Sequence, residues 1–326
     1  MKLLRILPLL LLFLTGCSAR IDRHQKALEE LDRIIEQKAV FSRMKSLRIK
    51  ECLLQLDLAS DPGEQFKLLE TIYKEYFNYN IDSAYLYARL MLAKAERYGD
   101  RPAINNARIY LARTLCDGGM YGEAKRILKQ VDTTDHTRID MFFYYGLYQS
   151  MMRDQRDIAD PEIRKYYSDS IQLYDLLCIY ALPEGSIPRK RLVANQYNSQ
   201  GKSLEALDML LPEYEAGIED IHMRALVAYS LSNIYKKLGD ADRRKEYLIR
   251  TAADDLQTPV REGLALYDLA GLLLEEGDVA RANRYINRSM EDALYCNFRS
   301  RMRQSSEMVQ QIGSAYIGSL EAKRRA

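Results

Sequence analysis

The chain has 326 residues, 47% of them hydrophobic, with only 16 glycines and 8 prolines. That balance supports a continuous apolar core and points to an all-helical protein. Its 48 basic and 46 acidic side chains nearly cancel, and cancel fully once Lys2 and Arg5 are set aside with a cleaved leader. A general nucleic-acid surface needs a clear basic excess, so nucleic acid is excluded as a partner.

Residues 1–16 read as a signal peptide. Lys2 and Arg5 form a basic start, and Leu9 to Leu14 make an apolar run too short to span a bilayer as a mature helix. Leu14-Thr15-Gly16-Cys17 looks like a bacterial lipobox, with Cys17 as the lipidated residue and new N-terminus. Two or more acyl chains there would hold the protein stably on a membrane. An ordinary cleavage nearby, with Cys17 incidental, is the alternative. Ser18-Ala19-Arg20 carries no acidic residue, so the expected location is the cell envelope, on the periplasmic face.

Residues 17–60 are expected to form a capping helical hairpin. Its first helix runs from Arg23 to Lys38, with Leu28, Leu31, Ile34 and Ile35 on one face, and its second from Val40 to Leu58. Asp61-Pro62-Gly63 breaks the chain, Asp61 capping the next helix and Pro62 entering its first turn. From there a repeat emerges over residues 62–298. Gly201, Gly239 and Gly277 stand 38 residues apart, each ending one apolar-periodic segment and preceding another.

Around Gly201 lie Ala194, Tyr197, Ala206 and Leu210, and around Gly277 lie Ala270, Leu273, Ala282 and Ile286. Gly119 has Ala112, Leu115, Ala124 and Leu128 in the same places, whereas Gly239 has Ser232, Tyr235, Arg244 and Leu248. A period of this length holds two helices and two turns. Small residues mark close helix crossings, and glycine ends the first helix in the left-handed conformation. Between Gly119 and Gly201 there are 82 residues, about two periods, so one eroded repeat lies between them. Asp140 to Arg153 and Pro161 to Ala181 supply its helices, and Phe142-Phe143-Tyr144-Tyr145-Gly146 is expected to be core. A final helix from Arg301 to Leu320, within a 299–326 capping segment, covers the far end of the stack.

The signature resembles the tetratricopeptide repeat. The expected fold is therefore all-α, a right-handed solenoid of antiparallel helix pairs. Several stretches together resemble a narrower family: Leu31-Asp32 with Ile35; Asp82-Ser83-Ala84; Gly119-Met120-Tyr121 with Glu123-Ala124; Leu269-Ala270 with Gly277-Asp278; and Arg281-Ala282 with Asp292-Ala293. On these the chain is similar to the extracytoplasmic half of Bacteroidota proteins of domain of unknown function 6377. That resemblance implies a signal peptide, repeats, a membrane span and a cytoplasmic helix-turn-helix part. No apolar run after Cys17 is long enough for such a span. A shortened, lipid-anchored paralogue or a truncated reading frame is expected, and only the sensing or binding half carries over.

The sequence offers no phosphate loop, serine elbow or paired-histidine metal motif, so no catalytic residue, metal ligand or cofactor is nominated. Cys52, Cys116, Cys178 and Cys296 lie in apolar helical segments and read as small core residues rather than disulfides. The three histidines, His24, His136 and His222, read as surface residues. The expected function is non-enzymatic: a scaffold holding a peptide or partner protein in its concave face. The first helix of each pair would line that groove. It would present Arg191, Asn195 and Asn198, then Tyr229, Asn233 and Lys236, then Tyr267 with Gly271 and Leu274. Asparagines suit a peptide backbone, and Arg191 or Lys236 a carboxylate. A glycan-binding lipoprotein for nutrient uptake is the alternative. Its usual tryptophan platform is absent, but 24 tyrosines could stack on sugars.

Overall fold

The computed structural model describes residues 24–258, 263–297 and 299–325. The expected signal peptide and Cys17 lie outside them. The described residues form fifteen helices and no strand. These are α1 (24–36), α2 (Lys38–Leu58), α3 (Pro62–Phe77), α4 (Ile81–Tyr98), α5 (Arg101–Asp117), α6 (Tyr121–Leu128), α7 (Met141–Ile158) and α8 (Pro161–Tyr180). They continue with α9 (Ile187–Ser199), α10 (Ser203–Glu215), α11 (Ile221–Leu238), α12 (Ala241–Gln257), α13 (Leu264–Glu275), α14 (Val279–Cys296) and α15 (Arg299–Arg325). Among the described residues no helix is long and apolar enough to cross a membrane.

Local chemistry sets where the helices begin. Asp61, Asn80, Asp100, Asp140, Asp160, Asp220, Asp240 and Asp278 each accept a backbone N–H from the first turn of the helix they precede. Pro62 occupies the first turn of α3, as expected.

The repeat glycines all end a first helix in one way. Gly119, Gly201, Gly239 and Gly277 have φ between 75° and 85°. In each case the residue after the glycine donates its N–H to the carbonyl four residues before it: Met120 to Leu115, Lys202 to Tyr197, Asp240 to Tyr235 and Asp278 to Leu273. This six-to-one bond satisfies a carbonyl the helix end would leave open and turns the chain back on itself. The result is a helical-repeat solenoid of six hairpins: α3/α4, α5/α6, α7/α8, α9/α10, α11/α12 and α13/α14.

The small residues sit where the helices cross. Ala112, Ala124, Ala194, Ala206, Ala270 and Ala282 have no exposed surface, and Ser232 fills the same place in α11. The core runs in three connected blocks. One joins α3 to α7 around Tyr73, Met91 and Leu147. A second joins α9 to α12 around Leu210, Leu231 and Ile234. The third joins α12 to α15 around Leu269, Tyr285 and Ile312. Tyr73 and Tyr110 stack at 4.8 Å, and the Tyr73 hydroxyl donates to the Tyr110 carbonyl.

The N-terminal hairpin expected over 17–60 takes a different form. A single residue, Gln37, separates α1 from α2, which leaves no turn for an antiparallel pair. The helix α2 packs on α3, with Lys45 paired to Glu75. By contrast, α1 joins the last core block: Leu28, Leu31 and Ile34 lie with Tyr285 and Ile286 of α14. The apolar face of α1 is buried there, and Asp32 beside it pairs with Arg281 and Arg284. The far end of α14 then meets the first hairpin. The Cys296 thiol lies 3.3 Å from the Tyr79 carbonyl, and the Tyr79 and Tyr295 rings are 5.4 Å apart. The stack therefore closes on itself, end to end.

All four described cysteines are free, with Cys116, Cys178 and Cys296 buried and Cys52 half-buried. Of the histidines, His136 is exposed and His24 half-buried. His222 differs from its surface reading: it is half-buried, and its Nδ1 is out of water with no hydrogen-bond partner among the described residues.

Candidate functional site

The inner side of the curve carries two adjoining cavities. One, of about 420 Å³, lies between α5, α7, α8 and α9, and the other, of about 470 Å³, between α9, α11, α12 and the start of α13. Arg153, Arg191, Asn195 and Ser199 belong to both, so the two form one trough. The hairpin geometry explains its lining. First helices face inward, and the 3.6-residue period brings Arg191, Asn195 and Asn198 of α9 to one side.

The structure brings Arg191, Asn195, Asn198, Tyr229 and Asn233 together in this trough. Their environments differ. No hydrogen bond to a described residue engages the half-buried Asn195 amide. Asn198 is buried, and its side-chain oxygen accepts from the Ser203 hydroxyl at 2.8 Å, tying α9 to α10. The Tyr229 hydroxyl donates to Asp268 at 2.7 Å. Burial, then the neighbouring Asp268, lifts that hydroxyl's pKa well above the ordinary tyrosine value.

Four expected groove residues lie elsewhere. Lys236 is exposed and outside the trough, whereas the next residue, Lys237, lines it. Lys237 donates to the Asn198 carbonyl at 2.6 Å and so holds the C-terminal end of α9. Tyr267 and Gly271 face inward from α13, but α15 lies over them. A Cβ on Gly271 would meet Met308 at 3.4 Å, and Tyr267 is packed into the same apolar block as Met308 and Val309. Leu274 belongs to that block too. The last helix thus covers the part of the curve that α13 would otherwise open to solvent.

One whole wall that sequence reasoning missed comes from the eroded repeat. Phe142, Gly146, Gln149, Ser150 and Arg153 of α7 form one wall. A helix of 18 residues with no glycine stop gave no landmark from which to count its inner face. Its spacing of aromatic, small and polar residues at 142, 146, 149 and 153 was the available signal. The aromatic run is only partly core: Phe143 packs edge-on against Tyr110 at 5.7 Å, yet Phe142 and Phe143 also line the trough.

Charge in the trough is mixed and largely paired. Arg113 donates to Asp117 at 2.9 Å and lies over the Phe77 ring. Asp175 accepts from Gln149 and from Arg153. Burial lifts the Asp175 carboxyl above its usual range, and Arg153 draws it partly back. Cys178 is pushed up to about 12 by burial and by Asp175, so its thiol stays protonated and inert. Among the described residues no group of three or more His, Cys, Asp or Glu is placed to hold a metal ion. What the trough offers is amides, guanidiniums and aromatic edges along an elongated surface, a lining that fits an extended chain.

No curated protein matches the sequence. A family profile described as the SusR N-terminal TPR domain matches residues 35–307, from the end of α1 into α15. That span takes in all six hairpins, both ends of the closure and the whole lining of the trough, and the chain belongs to this family of repeat domains.

Proposed function

We propose that the protein is a non-enzymatic binding module of the cell envelope that holds a segment of a partner protein in its trough. The observation that carries this reading is the continuity of the two cavities through Arg153, Arg191, Asn195 and Ser199. An elongated site suits an extended peptide. The Asn195 amide offers both a donor and an acceptor to a peptide backbone, and Arg153 and Arg191 offer forked donors to a carboxylate. A repeat domain whose family match covers the trough supports protein binding as its role.

In this reading Cys17 carries the lipid anchor and the trough faces the periplasm. The protein is the sensing half of a signalling system, in keeping with the resemblance to domain of unknown function 6377. Affinity capture from envelope extracts, with proteins and glycans both identified, tests the reading. A reproducible protein that N195A/N233A fails to retain supports it. A polysaccharide retained in its place would transfer the trough to nutrient binding.

A further inference from the structure

We infer that α2 is a dimerisation helix, which pairs antiparallel with α2 of a second copy across a two-fold axis. The inference starts from the side of α2 that faces away from α3. Val40, Met44, Leu47, Leu54 and Leu58 are all more than half exposed. With Glu51 they recur at steps of four and three, so they form one straight stripe on a single helix face. From Val40 to Leu58 that stripe is about 27 Å long. Lys45 and Ile49, on the opposite face, are buried against the stack.

The stripe exists because of the chain's path. In the six hairpins each second helix is covered by the first helix of its own pair. The helix that would cover α2 in this way is α1, and α1 leaves at Gln37 to pack on α14. An apolar face is left on the side of α2 that neither α3 nor α12 covers, and there a second copy continues the same helix-on-helix packing.

Charge identifies the occupant. The first part of α2, from Lys38 to Lys50, carries no acid; Lys38 and Lys45 pair with Glu291 and Glu75, and Arg43, Arg48 and Lys50 are exposed. From Glu51 to Leu58 it carries Glu51 and Asp57 and no base. A helix divided in this way repels a parallel copy and attracts an antiparallel one, and helix dipoles favour the same arrangement. A two-fold axis near position 49 sets Val40 against Leu58 and Met44 against Leu54 of the second copy. It brings the exposed Arg43 to Asp57 along one edge and Arg48 to Glu51 along the other. The contact is isologous, so every pair occurs twice. A lipid surface also suits an apolar, basic helix, but it would have to take Glu51 into the middle of its apolar face. In the paired helices that carboxylate has an arginine.

Sedimentation equilibrium on the full chain, from about 1 to 100 µM, tests this, with an expected dissociation constant in the micromolar range for a contact of this size. Leu54→Glu should return the protein to a monomer while its helical content is unchanged. Arg43→Asp and Asp57→Arg should each weaken the dimer at least about fivefold, and the double exchange should restore it. A monomer at every concentration, or a dimer indifferent to Leu54→Glu, would overturn the proposal. Failure of the double exchange to restore it would overturn the antiparallel register. A monomer that binds phosphatidylglycerol vesicles through Leu54 would hand the face to a membrane.

Discussion

Arg281 of α14 and Asp32 of α1 are 249 residues apart in sequence, yet the guanidinium Nε lies 3.0 Å from the carboxylate. The same carboxylate accepts from the Tyr285 hydroxyl at 2.9 Å and pairs with Arg284 at 3.1 Å. This one group ties the first helix to the last hairpin. Replacement by asparagine keeps the shape but removes the charge that both arginines face. The expected loss is about 2 kcal/mol, because Arg281 and Asp32 are mostly out of water. Denaturant unfolding measures it. Hydrogen exchange should quicken first in α1, while α3 to α7 keep their protection. Equal loss throughout would mean that α1 does not open separately.

A second prediction separates two left-handed glycines. At Gly239 an added Cβ meets nothing within 4 Å, so Gly239→Ala costs only backbone strain, about 1 to 2 kcal/mol. At Gly263 the added Cβ would lie 2.9 Å from the Ser289 hydroxyl oxygen, which itself donates to the Gly263 carbonyl. Gly263→Ala should therefore be the more damaging by about 1 kcal/mol or more. Thermal melts of the two variants give the order, and the reverse order would contradict the packing described.

The small residues of the repeat give a third. Ala206 is wholly buried where α9 and α10 cross. Ala206→Leu must separate two helices and should cost about 1 to 3 kcal/mol. Arg244, at the matching position of the next repeat, is half-buried, so Arg244→Leu should cost less than about 1 kcal/mol.

Thiol chemistry supplies a fourth. Burial, helped by Asp117 and Asp175, pushes Cys116 and Cys178 up to about 12 from an ordinary 9.0. The folded state therefore holds these protons more tightly than the unfolded chain. Their contribution to stability is present in full below pH 9.0, and it is lost as pH rises from 9.0 towards about 12. Iodoacetamide at about pH 8 should label half-buried Cys52 before either of them, and all should label in denaturant. Labelling of Cys178 at the rate of Cys52 would contradict its burial.

The repeat itself was legible in the sequence because glycine, alanine and the residue four before the glycine report one local structure. The six-to-one bonds at Gly119, Gly201, Gly239 and Gly277 are that structure. The trough was legible where those landmarks persist, at Arg191, Asn195, Tyr229 and Asn233. It was illegible along α7, whose pair lacks the glycine, and so Gln149 and Arg153 went unnamed. Tyr267 was misplaced for another reason. Its inward direction is local, but the helix that covers it starts more than thirty residues later, and no spacing rule reports such a contact. The pairing of Asp32 with Arg281 is hidden in the same way, since amphipathic α1 shows an apolar face without naming its cover.

Site-specific photo-crosslinking tests the central claim most directly. A photoreactive residue placed at Asn195, in the trough, is compared with one at Glu205, exposed on the outer helix α10. The account predicts a crosslink to one partner protein from position 195 and none from 205, competed away by a peptide from that partner. Crosslinks from 205 alone, or equal yields from both, would contradict a partner chain seated in the trough.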